Sequence, residues 1–530
     1  MSEENGLPKG WVWCTIRDIA VSMKNGLYKA RESYSNDGTP CLRMYNIADG
    51  KVVWEDVKRM LLTPSEQEEY GLLPGDILVN RVNSRELVGK ACVIPADLGP
   101  IVFESKNIRL RVRQDIVDPH YLNYRLLYAG RHYFAQNAQQ TVGMASVNQE
   151  QLSSFPLPLA PLDEQRRIVA KIEELFSDLD AGVAALERAK AKLKRYRAAV
   201  LKAAVEGRLT AEWRMQQPDL EPASKLLERI LKERRRKWEE EQLRKYEAQG
   251  KKPPKNWKDK YKEPEPVDAS DLPPLPEGWC WASVDQLTAG DRSSAYGVLQ
   301  PGPNVPDGIP LVRVCDIADG TVAVDQLKRI SPDVSSQYQR TVLRGREVLL
   351  TIVGTIGRTA VAPESLCGAN TARAVAVLPM SEFVDARYVE LNLREPSMRS
   401  RLTRAAHEVA RKTLNLEDVR LAAIPLAPVQ EQSQFIELLE QQLSIVEQAG
   451  FQIETNIQRA SRLRQSILKR AFEGKLVPQD PEDEPAIQLL ERIQSGREKH
   501  TGEIPSTNGR SGTRTQKTPV QRAKSRRESK

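Results

Sequence analysis

The eight-residue phrase PLAPLDEQ (158–165) returns as PLAPVQEQ (425–432), 267 residues further along a chain of 530. Four other phrases return in the same order at offsets between 263 and 270: LPKGWVW (7–13) as LPEGWCW (275–281), LRMYNIADGKV (42–52) as VRVCDIADGTV (312–322), LKAAVEGRL (201–209) as LKRAFEGKL (468–476), and LLERI (226–230) as LLERI (489–493). An echo at a fixed period is the sequence signature of an internal repeat. The sequence therefore predicts a tandem duplication of a unit of roughly 265 residues.

Between the echoes the two copies differ strongly, as LVNRVNSRELVGKACVIP (78–95) and LLTIVGTIGRTAVAP (349–363) show. Residues 11–160 and 279–427 contain short β-branched and apolar runs broken by Gly, Pro, Asn and Asp, with helical stretches between them. This rhythm predicts two α/β or α+β globules of about 150 residues each. The echoed phrases of the repeat are kept, while the sequences between them have diverged.

A long helical pattern follows each copy of the opening phrase, whose prolines and early acidic residue are typical of a helix start. The d positions of a heptad are apolar in both copies: Ile172, Leu179, Leu186, Leu193 and Val200 in the first, and Leu439, Val446, Ile453, Ala460 and Ile467 in the second. Ten apolar positions out of ten indicate the seam of a coiled coil. Since two such helices in one chain can pair with each other, we expect an antiparallel coiled coil with a pseudo-two-fold axis and one globule at each end.

Composition limits the class of protein. Six cysteines are scattered without a CxxC pair, which favours a reducing compartment over a disulfide framework or a zinc site. No signal peptide is recognisable and no apolar run approaches the roughly 18 residues of a membrane helix, so we expect a soluble cytoplasmic protein. The net charge is +8, but residues 510–530 alone carry eight Lys/Arg against one acid. Any nucleic-acid-binding face must therefore be a local patch.

Taken together, the phrases resemble those of the specificity subunits of type I restriction–modification systems. The resemblance rests on the LPxGW openings, on IADG after a strand, on the GDIL and GREVLLTIVGTIG segments, and on PLxPLxEQxRI before a long helix. It covers nearly the whole chain, from LPKGW to FEGKL. The second copy departs from the pattern, because PLAPVQEQSQFI lacks the basic residue that follows the glutamine in the first.

The resemblance implies an α+β fold in which two target-recognition domains are joined by two long helices that form an antiparallel coiled coil. Each domain would read one half of an asymmetric bipartite double-stranded DNA site. The coiled coil would set the spacing of the half-sites and dock methyltransferase subunits, and ATP-dependent restriction subunits would complete the complex. This chain would bind no cofactor, since S-adenosylmethionine, ATP and Mg are expected on the partner subunits.

The patterns and the resemblance together divide the chain into seven segments. They are target-recognition domain 1 (1–160), the first coiled-coil helix (161–209), a charged helical insert and linker (210–270), target-recognition domain 2 (271–427), the second coiled-coil helix (428–476), a short helical extension (477–499) and a disordered basic tail (500–530).

Signatures of catalysis are missing from the sequence. There is neither a GxxxxGK[ST] phosphate loop nor the [NDS]PP[FY] motif of amino-methyltransferases. The four histidines never fall at metal-ligand spacing, so no metal site is expected. GTIG (354–357) is half of a glycine-rich loop and is more typical of a tight turn between strands. The sequence predicts a binding subunit rather than an enzyme.

Candidate DNA-reading residues lie in two polar segments of each globule, because specific readout needs side chains such as Arg, Asn and Gln presented from loops or helices. The first segments (80–90 and its counterpart) offer Arg81, Asn83, Ser84, Arg85, Thr355 and Arg358. The second segments (138–149 and 407–415) offer Gln140, Thr141, Arg411 and Lys412. A polar loop of this length is also compatible with plain solvation, and contacts to phosphate are expected more readily than contacts to bases.

Two further segments were assigned from composition. The insert at 233–262 interleaves basic residues with Trp238, Tyr246, Trp257 and Tyr261. This pattern fits nucleic-acid binding, but a solvated helix with pairs such as Arg235–Glu239 and Glu241–Lys245, followed by a Pro-rich linker, is favoured. Residues after 500 contain too few apolar side chains to offset the cost of ordering and are expected to be disordered.

Two other classes of function share some of these features. A coiled-coil scaffold or adaptor with two protein-binding globules has the same repeat and heptads, but it would not bind DNA in a salt-sensitive way. A restriction–modification enzyme with fused catalytic domains is disfavoured by the missing motifs.

Overall fold

The computed structural model describes residues 6–141, 143–405, 407–408 and 412–492. The chain forms two compact units. Unit 1 contains residues up to Val183 and those from Gln458 onward, and unit 2 contains Ala184–Ile457. The boundary therefore falls within both long helices, and unit 1 is assembled from the beginning and the end of the described chain.

Unit 1 holds fourteen strands among its described residues: β1 (Val12–Thr15), β2 (Ala20–Asn25), β3 (Tyr34–Leu42), β4 (Ile47–Ala48), β5 (Lys51–Val52), β6 (Lys58–Met60), β7 (Ile77–Asn80), β8 (Val82–Asn83), β9 (Ala91–Val93), β10 (Val102–Phe103), β11 (Asn107–Val112), β12 (Gln139–Thr141), β13 (Met144–Ser146) and β14 (Pro156–Leu159). Its helices are α1 (Ile16–Ile19), α2 (Pro64–Tyr70), α3 (Pro119–Arg125), α4 (Arg131–Asn137) and α5 (Gln149–Ser153), with 3₁₀ turns at Arg31–Ser33 and Met44–Asn46, a π-helical turn at Leu126–Gly130 and a helical stretch at 486–492. The long helix α6 (Leu162–Val205) begins in this unit.

Unit 2 holds thirteen strands among its described residues: β15 (Cys280–Ser283), β16 (Ala295–Tyr296), β17 (Ile309–Val312), β18 (Ile317–Ala318), β19 (Thr321–Val322), β20 (Lys328–Ile330), β21 (Val348–Thr351), β22 (Thr359–Val361), β23 (Asn370–Thr371), β24 (Val375–Leu378), β25 (His407–Glu408), β26 (Lys412–Thr413) and β27 (Ala423–Leu426). Its helices are α7 (Ala211–Met215), α8 (Ala223–Ala248), α9 (Pro332–Ser336), α10 (Ala386–Arg394), α11 (Pro396–Ala405), α12 (Leu416–Arg420) and the long helix α13 (Val429–Phe472), with 3₁₀ turns at Trp257–Lys260, Val314–Asp316, Gln339–Thr341 and Glu364–Leu366.

The same sheet topology occurs in both units. A four-stranded antiparallel sheet has the order β2-β11-β7-β9 in unit 1 and β16-β24-β21-β22 in unit 2. A mixed three-stranded sheet has the order β10-β3-β6 in unit 1 and β20-β17-β23 in unit 2. Two-stranded pairs β1-β14 and β15-β27 close each domain, and Trp13 faces Pro158 as Trp281 faces Pro425. The duplication seen in the sequence is therefore a duplication of the fold.

The repeated IADG phrase forms a tight hairpin turn that contacts a helix of its own domain. Gly50 and Gly320 have φ of 79° and 85°, a conformation that favours glycine. The Gly50 carbonyl accepts a 2.9 Å hydrogen bond from the Asn123 amide on α3, and the Gly320 carbonyl accepts a 3.3 Å hydrogen bond from Arg387 on α10. The repeated phrase therefore forms the same turn in both domains, and in each domain this turn is hydrogen-bonded to one helix, α3 or α10.

The long helices are paired antiparallel in each unit. In unit 1 Asp180 of α6 forms an ion pair with Arg464 of α13. In unit 2 Lys190 pairs with Glu454 at 2.7 Å, and the Tyr196 hydroxyl donates to Gln442 at 3.0 Å, so the partner number falls as the α6 number rises. Each helix has 44 residues, and all ten predicted seam residues are buried or half-buried. The predicted α+β fold with an antiparallel pair of long helices is confirmed.

A buried clamp at the base of α6 explains the phrases LPKGW and PLDEQ. The Trp11 indole N–H donates to the Glu164 carboxylate at 3.0 Å, and Glu164 is only 1% exposed. Burial raises the pKa of Glu164, while the Trp11 hydrogen bond and the nearby Arg167 act to lower it. Next to it, the Gln165 amide donates to the carbonyls of Ile116 (3.0 Å) and Ala160 (2.8 Å). The acidic phrase is therefore a buried connector between the domain and the long helix.

The same clamp is found at the base of α13. Trp279 donates to Glu431 at 2.8 Å, and Glu431 also accepts from the Thr210 hydroxyl at 2.6 Å and pairs with Arg214 at 2.8 Å. The Gln432 amide donates to the Ala427 carbonyl at 2.9 Å. Below each clamp a fully buried tyrosine donates to the first proline carbonyl of the echoed phrase, Tyr121 to Pro158 in unit 1 and Tyr388 to Pro425 in unit 2.

The far end of each long helix packs against the base of the other domain's fold. In unit 2 Leu201 and Ala204 of α6 and Leu226 and Ile230 of α8 join the hydrophobic core. In unit 1 the equivalent residues are Leu468, Ala471 and Phe472 of α13 and Leu489 beyond it. Matching backbone hydrogen bonds fix these ends, from Ala223 N to the Gly278 carbonyl (2.8 Å) and from Ala486 N to the Gly10 carbonyl (2.9 Å). The remaining two echoes therefore supply core residues: LKxAxEGxL at the end of each long helix, and LLERI in the segment that follows it.

The charged insert forms a helix, α8, whose aromatic residues are used internally. The predicted ion pairs Arg235–Glu239 (3.4 Å) and Lys245–Glu241 (3.5 Å) are confirmed. Trp238 stacks on Trp257 with ring centroids 6.0 Å apart and contacts Tyr261 at 5.2 Å, so the chain after α8 folds back along it. These three rings are therefore not free to stack on bases, and the solvated-helix interpretation of the insert is favoured over nucleic-acid binding.

The clamp yields a prediction with a control inside the same chain. Trp11→Phe removes the indole donor to the buried Glu164 carboxylate, and a buried acceptor that loses its donor costs about 1–3 kcal/mol. Trp279→Phe should cost less, because Glu431 keeps Thr210 and Arg214. Hydrogen–deuterium exchange should therefore rise at the start of α6 in the first variant and at the start of α13 in the second. If exchange rose by the same amount at both helix starts in either variant, relative to the wild type, the clamp would be contradicted.

Candidate nucleic-acid interface

In unit 1 the two polar segments singled out from the sequence meet in one small sheet. The hairpin β12–β13 pairs with β8, in which Asn83 faces Ala145 and Val82 faces Ser146. The Val147 amide then donates to the Arg81 carbonyl at 2.8 Å. We call residues 81–87, 105–106, 139–141 and 143–147 the first hairpin face.

Unit 2 brings its counterparts together in the same way. The hairpin β25–β26 reaches the segment after β21 through a bridge between Val353 and Thr413, and the Leu414 amide donates to the Ile352 carbonyl at 2.9 Å. We call residues 352–358, 373–374, 407–408 and 412–414 the second hairpin face. Each domain therefore presents a hairpin beside the segment that leaves a central strand of its main sheet.

Three buried asparagines hold the first hairpin face in shape. Asn80 is fully buried and donates to the Lys106 carbonyl at 3.0 Å and to Asn107 at 3.3 Å. Asn83, 6% exposed, donates to Asn80 at 2.8 Å and accepts from the Ser84 amide at 2.9 Å. Because a buried amide with satisfied hydrogen bonds is costly to break, this network fixes the backbone of the segment. In this conformation the Asn83 side chain points inward and supports the face.

The second hairpin face is held by different groups. The Thr351 hydroxyl donates to the Thr355 carbonyl at 2.5 Å and accepts from the Arg358 amide at 2.9 Å. Gly354 and Gly357 have φ of 77° and 88°, so GTIG is the tight turn between β21 and β22 that the sequence predicted. The same position in the fold is thus stabilised by amides in one copy and by a hydroxyl and glycines in the other.

The remaining candidates of the first segments differ in exposure. Arg81 is half-buried, and its guanidinium donates to the carbonyls of Ser105 (3.4 Å) and Val147 (3.5 Å). Arg358 is half-buried and donates to the Ile317 carbonyl at 3.3 Å. Arg85 and Thr355 are exposed, and Arg85 is steadied by a 3.2 Å hydrogen bond to the Ala135 carbonyl. Ser84 is half-buried. The pKa of Glu86 is lowered mainly by a hydrogen bond from its own backbone N–H, and also by a hydrogen bond from the Ser84 hydroxyl.

The candidates of the second segments lie on the hairpins. Gln140 and Thr141 are in β12, opposite Ala145 and Met144, and Lys412 is in β26, opposite Glu408. Arg411 lies outside the described residues.

Two exposed basic residues on these faces were missed by the sequence analysis. Lys106 occupies the turn between β10 and β11, and its carbonyl accepts hydrogen bonds from the Arg81 amide (2.8 Å) and from Asn80. Arg373 occupies the turn between β23 and β24, where its amide donates to the Val298 carbonyl at 2.8 Å. The signal was present, because a basic residue follows a short strand at nearly the same place in both copies (ESKN, 104–107; TARA, 371–374). It is too short to stand out without the fold.

Among the described residues there is no group of three or more His, Cys, Asp or Glu that could hold a metal ion. None of the helices in the described part of the chain is long and apolar enough to cross a membrane.

Comparison with known proteins finds similar chains along most of this one. The model of the type I restriction modification DNA specificity domain matches residues 8–191. The type I restriction enzyme EcoBI specificity subunit of Escherichia coli is 29% identical over 92% of both chains. The chain is thus similar to type I restriction–modification specificity subunits over nearly its whole length.

Two further proteins that are similar to this chain have lower sequence identity to it. The EcoKI specificity subunit of Escherichia coli strain K12 is 23% identical over 93% of this chain and 96% of its own length. A solved chain from a study of assembly and conformational transition of the type I R-M system has a TM-score of 0.57 at 17% identity, covering 89% of this chain and 99% of its own. This last likeness supports the fold of the specificity subunit.

The exposure of Lys106 gives a prediction about binding. If Lys106 contacts a phosphate, Lys106→Ala should weaken DNA binding about equally for all sequences and reduce the slope of log affinity against log salt by about one. Lys9→Ala is the matched control, because Lys9 is an exposed lysine of the same unit outside the hairpin face. Fluorescence anisotropy titrations at several salt concentrations measure both. An unchanged slope in Lys106→Ala would remove this residue from the interface.

Proposed function

We propose that this specificity subunit recognises one asymmetric bipartite DNA site, with the first hairpin face reading one half-site and the second hairpin face the other. The observation that carries the proposal is the pairing of each hairpin with a polar segment in the same place of both domains, on a shared framework with different side chains. A duplicated framework with diverged contact residues suits two unlike half-sites. A two-stranded ribbon is one of the elements that the major groove of DNA admits.

The residues of the two faces would divide the work of recognition. Lys106 and Arg373, exposed on turns, are suited to phosphate contacts that fix register without reading sequence. The side chains proposed to reach base edges are Arg85 and Thr355, exposed beside the hairpins, Gln140, Thr141 and Lys412 on the hairpins, and Arg411, which lies outside the described residues. Arg81, Asn83, Ser84 and Arg358 would act mainly by holding the shape of the faces.

As a specificity subunit the chain performs no catalytic step of its own. We propose that methyltransferase subunits with adenine-N6 activity and ATP-dependent restriction subunits supply the chemistry, and that these partners hold S-adenosylmethionine, ATP and Mg. We place this assembly in the cytoplasm. The alternative of a coiled-coil adaptor with two protein-binding globules explains the duplication and the helices equally well, but it gives no reason for the similarity to type I specificity subunits along most of the chain.

The antiparallel helices are proposed to have two functions, as a ruler for the half-sites and as the platform for the methyltransferase subunits. Each helix of 44 residues has a length of about 66 Å at 1.5 Å per residue. A rigid element of this length between two recognition domains would fix the separation of the half-sites.

Reconstitution tests the division of labour. The purified chain should show no methyl transfer, ATP hydrolysis or DNA cleavage. With its methyltransferase partner it should bind one asymmetric site, with an affinity that falls steeply as salt rises. Methyl transfer by the chain alone, measured with S-adenosylmethionine and unmodified host DNA, would overturn the proposal, and salt-insensitive binding would favour the adaptor.

Insertion into a long helix tests the ruler. Four residues inserted after Lys192 lengthen α6 by about 6 Å, and a base pair rises about 3.4 Å, so the preferred spacer should grow by roughly one to two base pairs. Four residues are close to one turn and disturb the seam locally. Some affinity should also be lost, because each added base pair rotates one half-site relative to the other.

The matched control places the same four residues after Lys252, in the exposed segment beyond α8, where neither long helix is lengthened. Methylation of a DNA library with fixed half-sites and variable spacers measures the preference. The control should keep the original spacer. If the α6 insertion also keeps it, the helices are a docking platform only.

A further inference from the structure

An arginine of unit 1 lies in a box of aromatic rings next to the base of the domain. The Arg125 guanidinium carbon is 5.9 Å from the Trp13 ring, 5.8 Å from the rings of Tyr128 and Phe155, and 5.6 Å from Phe472. Its Nε donates to the Pro156 carbonyl at 3.3 Å. Burial lowers the pKa of Arg125, while the nearby tyrosines Tyr121 and Tyr128 raise it. The rings supply the attraction for the half-buried cation.

The equivalent place in unit 2 can be located from shared contacts. Trp13 faces Pro158 in the β1–β14 pair as Trp281 faces Pro425 in the β15–β27 pair. The buried tyrosine four residues before Arg125 donates to Pro158, and its counterpart Tyr388, four residues before Asn392, donates to Pro425. Asn392 therefore stands where unit 1 has Arg125.

In unit 2 the box is open. Tyr128 is replaced by Glu395, Phe472 by Val205 and Phe155 by Ala422, all of them smaller residues. A small pocket of ≈ 70 Å³ occupies the place, lined by Trp281, Asn392, Glu395 and Val205 and walled by Pro274 and Leu275 of the linker. Unit 2 thus keeps the tryptophan of the box, Trp281, but lacks the arginine and three of the four aromatic rings.

One lining residue of this pocket has a buried acceptor without a partner among the described residues. Asn392 is 1% exposed, and its amide donates to the Tyr388 carbonyl at 2.8 Å, but its Oδ1 accepts no hydrogen bond from any described residue. A buried acceptor left unpaired is costly and needs an explanation. Glu395, 4% exposed, adds a carboxylate whose Oε2 accepts from the Met398 amide at 2.9 Å. A donor with a delocalised positive charge would satisfy the Asn392 oxygen, pair with the Glu395 carboxylate, which already accepts from Met398 and Ser397, and lie against the Trp281 ring.

We propose that this pocket binds the guanidinium of an arginine side chain presented by a partner protein, which restores in unit 2 the arrangement that Arg125 makes in unit 1. A guanidinium offers five donors in a plane and stacks on aromatic faces, whereas a lysine ammonium does neither as well. Two cations, Lys202 and Arg401, also line the pocket. The Glu206 and Glu395 carboxylates balance their charge, and Lys202 lies 3.8 Å from Glu206.

The test uses the full chain and two small probes of the same shape. N-acetyl-arginine amide carries the guanidinium, and N-acetyl-citrulline amide is its neutral isostere. Saturation-transfer NMR and titration calorimetry should show saturable binding of the arginine probe and at least tenfold weaker binding of the citrulline probe. Equal binding of the two, or binding of neither, would overturn the proposal.

Variants that copy unit 1 locate the site. Asn392→Arg supplies the missing cation from the chain itself, and Val205→Phe restores one wall. Each should weaken binding of the arginine probe at least tenfold, and circular dichroism shows which variant is folded. If a folded variant of either kind bound the probe as the wild type does, the pocket would not be the site.

The charge of the ligand is tested separately with Arg401→Gln. Removing this cation from the wall should tighten the arginine probe by roughly three- to fivefold, because a like charge at contact distance is lost. An anionic ligand would behave in the opposite way. Weaker binding of the arginine probe to this variant, or binding of N-acetyl-glutamate to the wild type that Arg401→Gln abolishes, would show an anion site and contradict the proposal.

Discussion

The hydrogen bond from a tryptophan indole to a buried glutamate at the start of each long helix is the constraint on which the rest of the structure depends. Glu164 and Glu431 are almost completely buried, so each carboxylate needs a donor close by, and Trp11 and Trp279 provide it from the position just before the opening strand of the same domain. The neighbouring glutamines bind the backbone around the same point, Gln165 at the Asp118 amide (2.9 Å) and Gln432 at Ala427. A long helix that is fixed in this way cannot swivel freely at its base.

Much of the architecture could be predicted from the sequence, because the echoes are long and the heptad signal is periodic. The duplication, the antiparallel long helices and the turn at GTIG follow from such signals. The buried environment of PLxPxxEQ could not be predicted, because two polar residues after prolines give no sign of burial. Only the fold shows that Glu164 lies next to Trp11, which is 153 residues away along the chain.

The candidate DNA faces show where sequence reasoning stops. The two polar segments of each domain were identified separately, but strands of two residues such as β8 carry no periodic signal that would pair them with a hairpin. For the same reason nothing in NRVNSRELVGK distinguishes the buried Asn83 from the exposed Arg85. The two copies share backbone positions and differ in the groups that hold them, with amides at Asn80 and a hydroxyl at Thr351. Such divergence on a fixed framework is what two different half-sites require.

The central claim is that one domain reads one half-site, and exchange of a whole domain tests it most directly. Residues 11–155 would be replaced by the equivalent domain of a related specificity subunit, leaving both long helices and the second domain intact. Sequencing of N6-methyladenine in the genome of a host that carries the full system then gives the methylated motif. The account predicts that one half-site changes while the other half-site and the spacer stay the same. A change in both half-sites, or in neither, would contradict it.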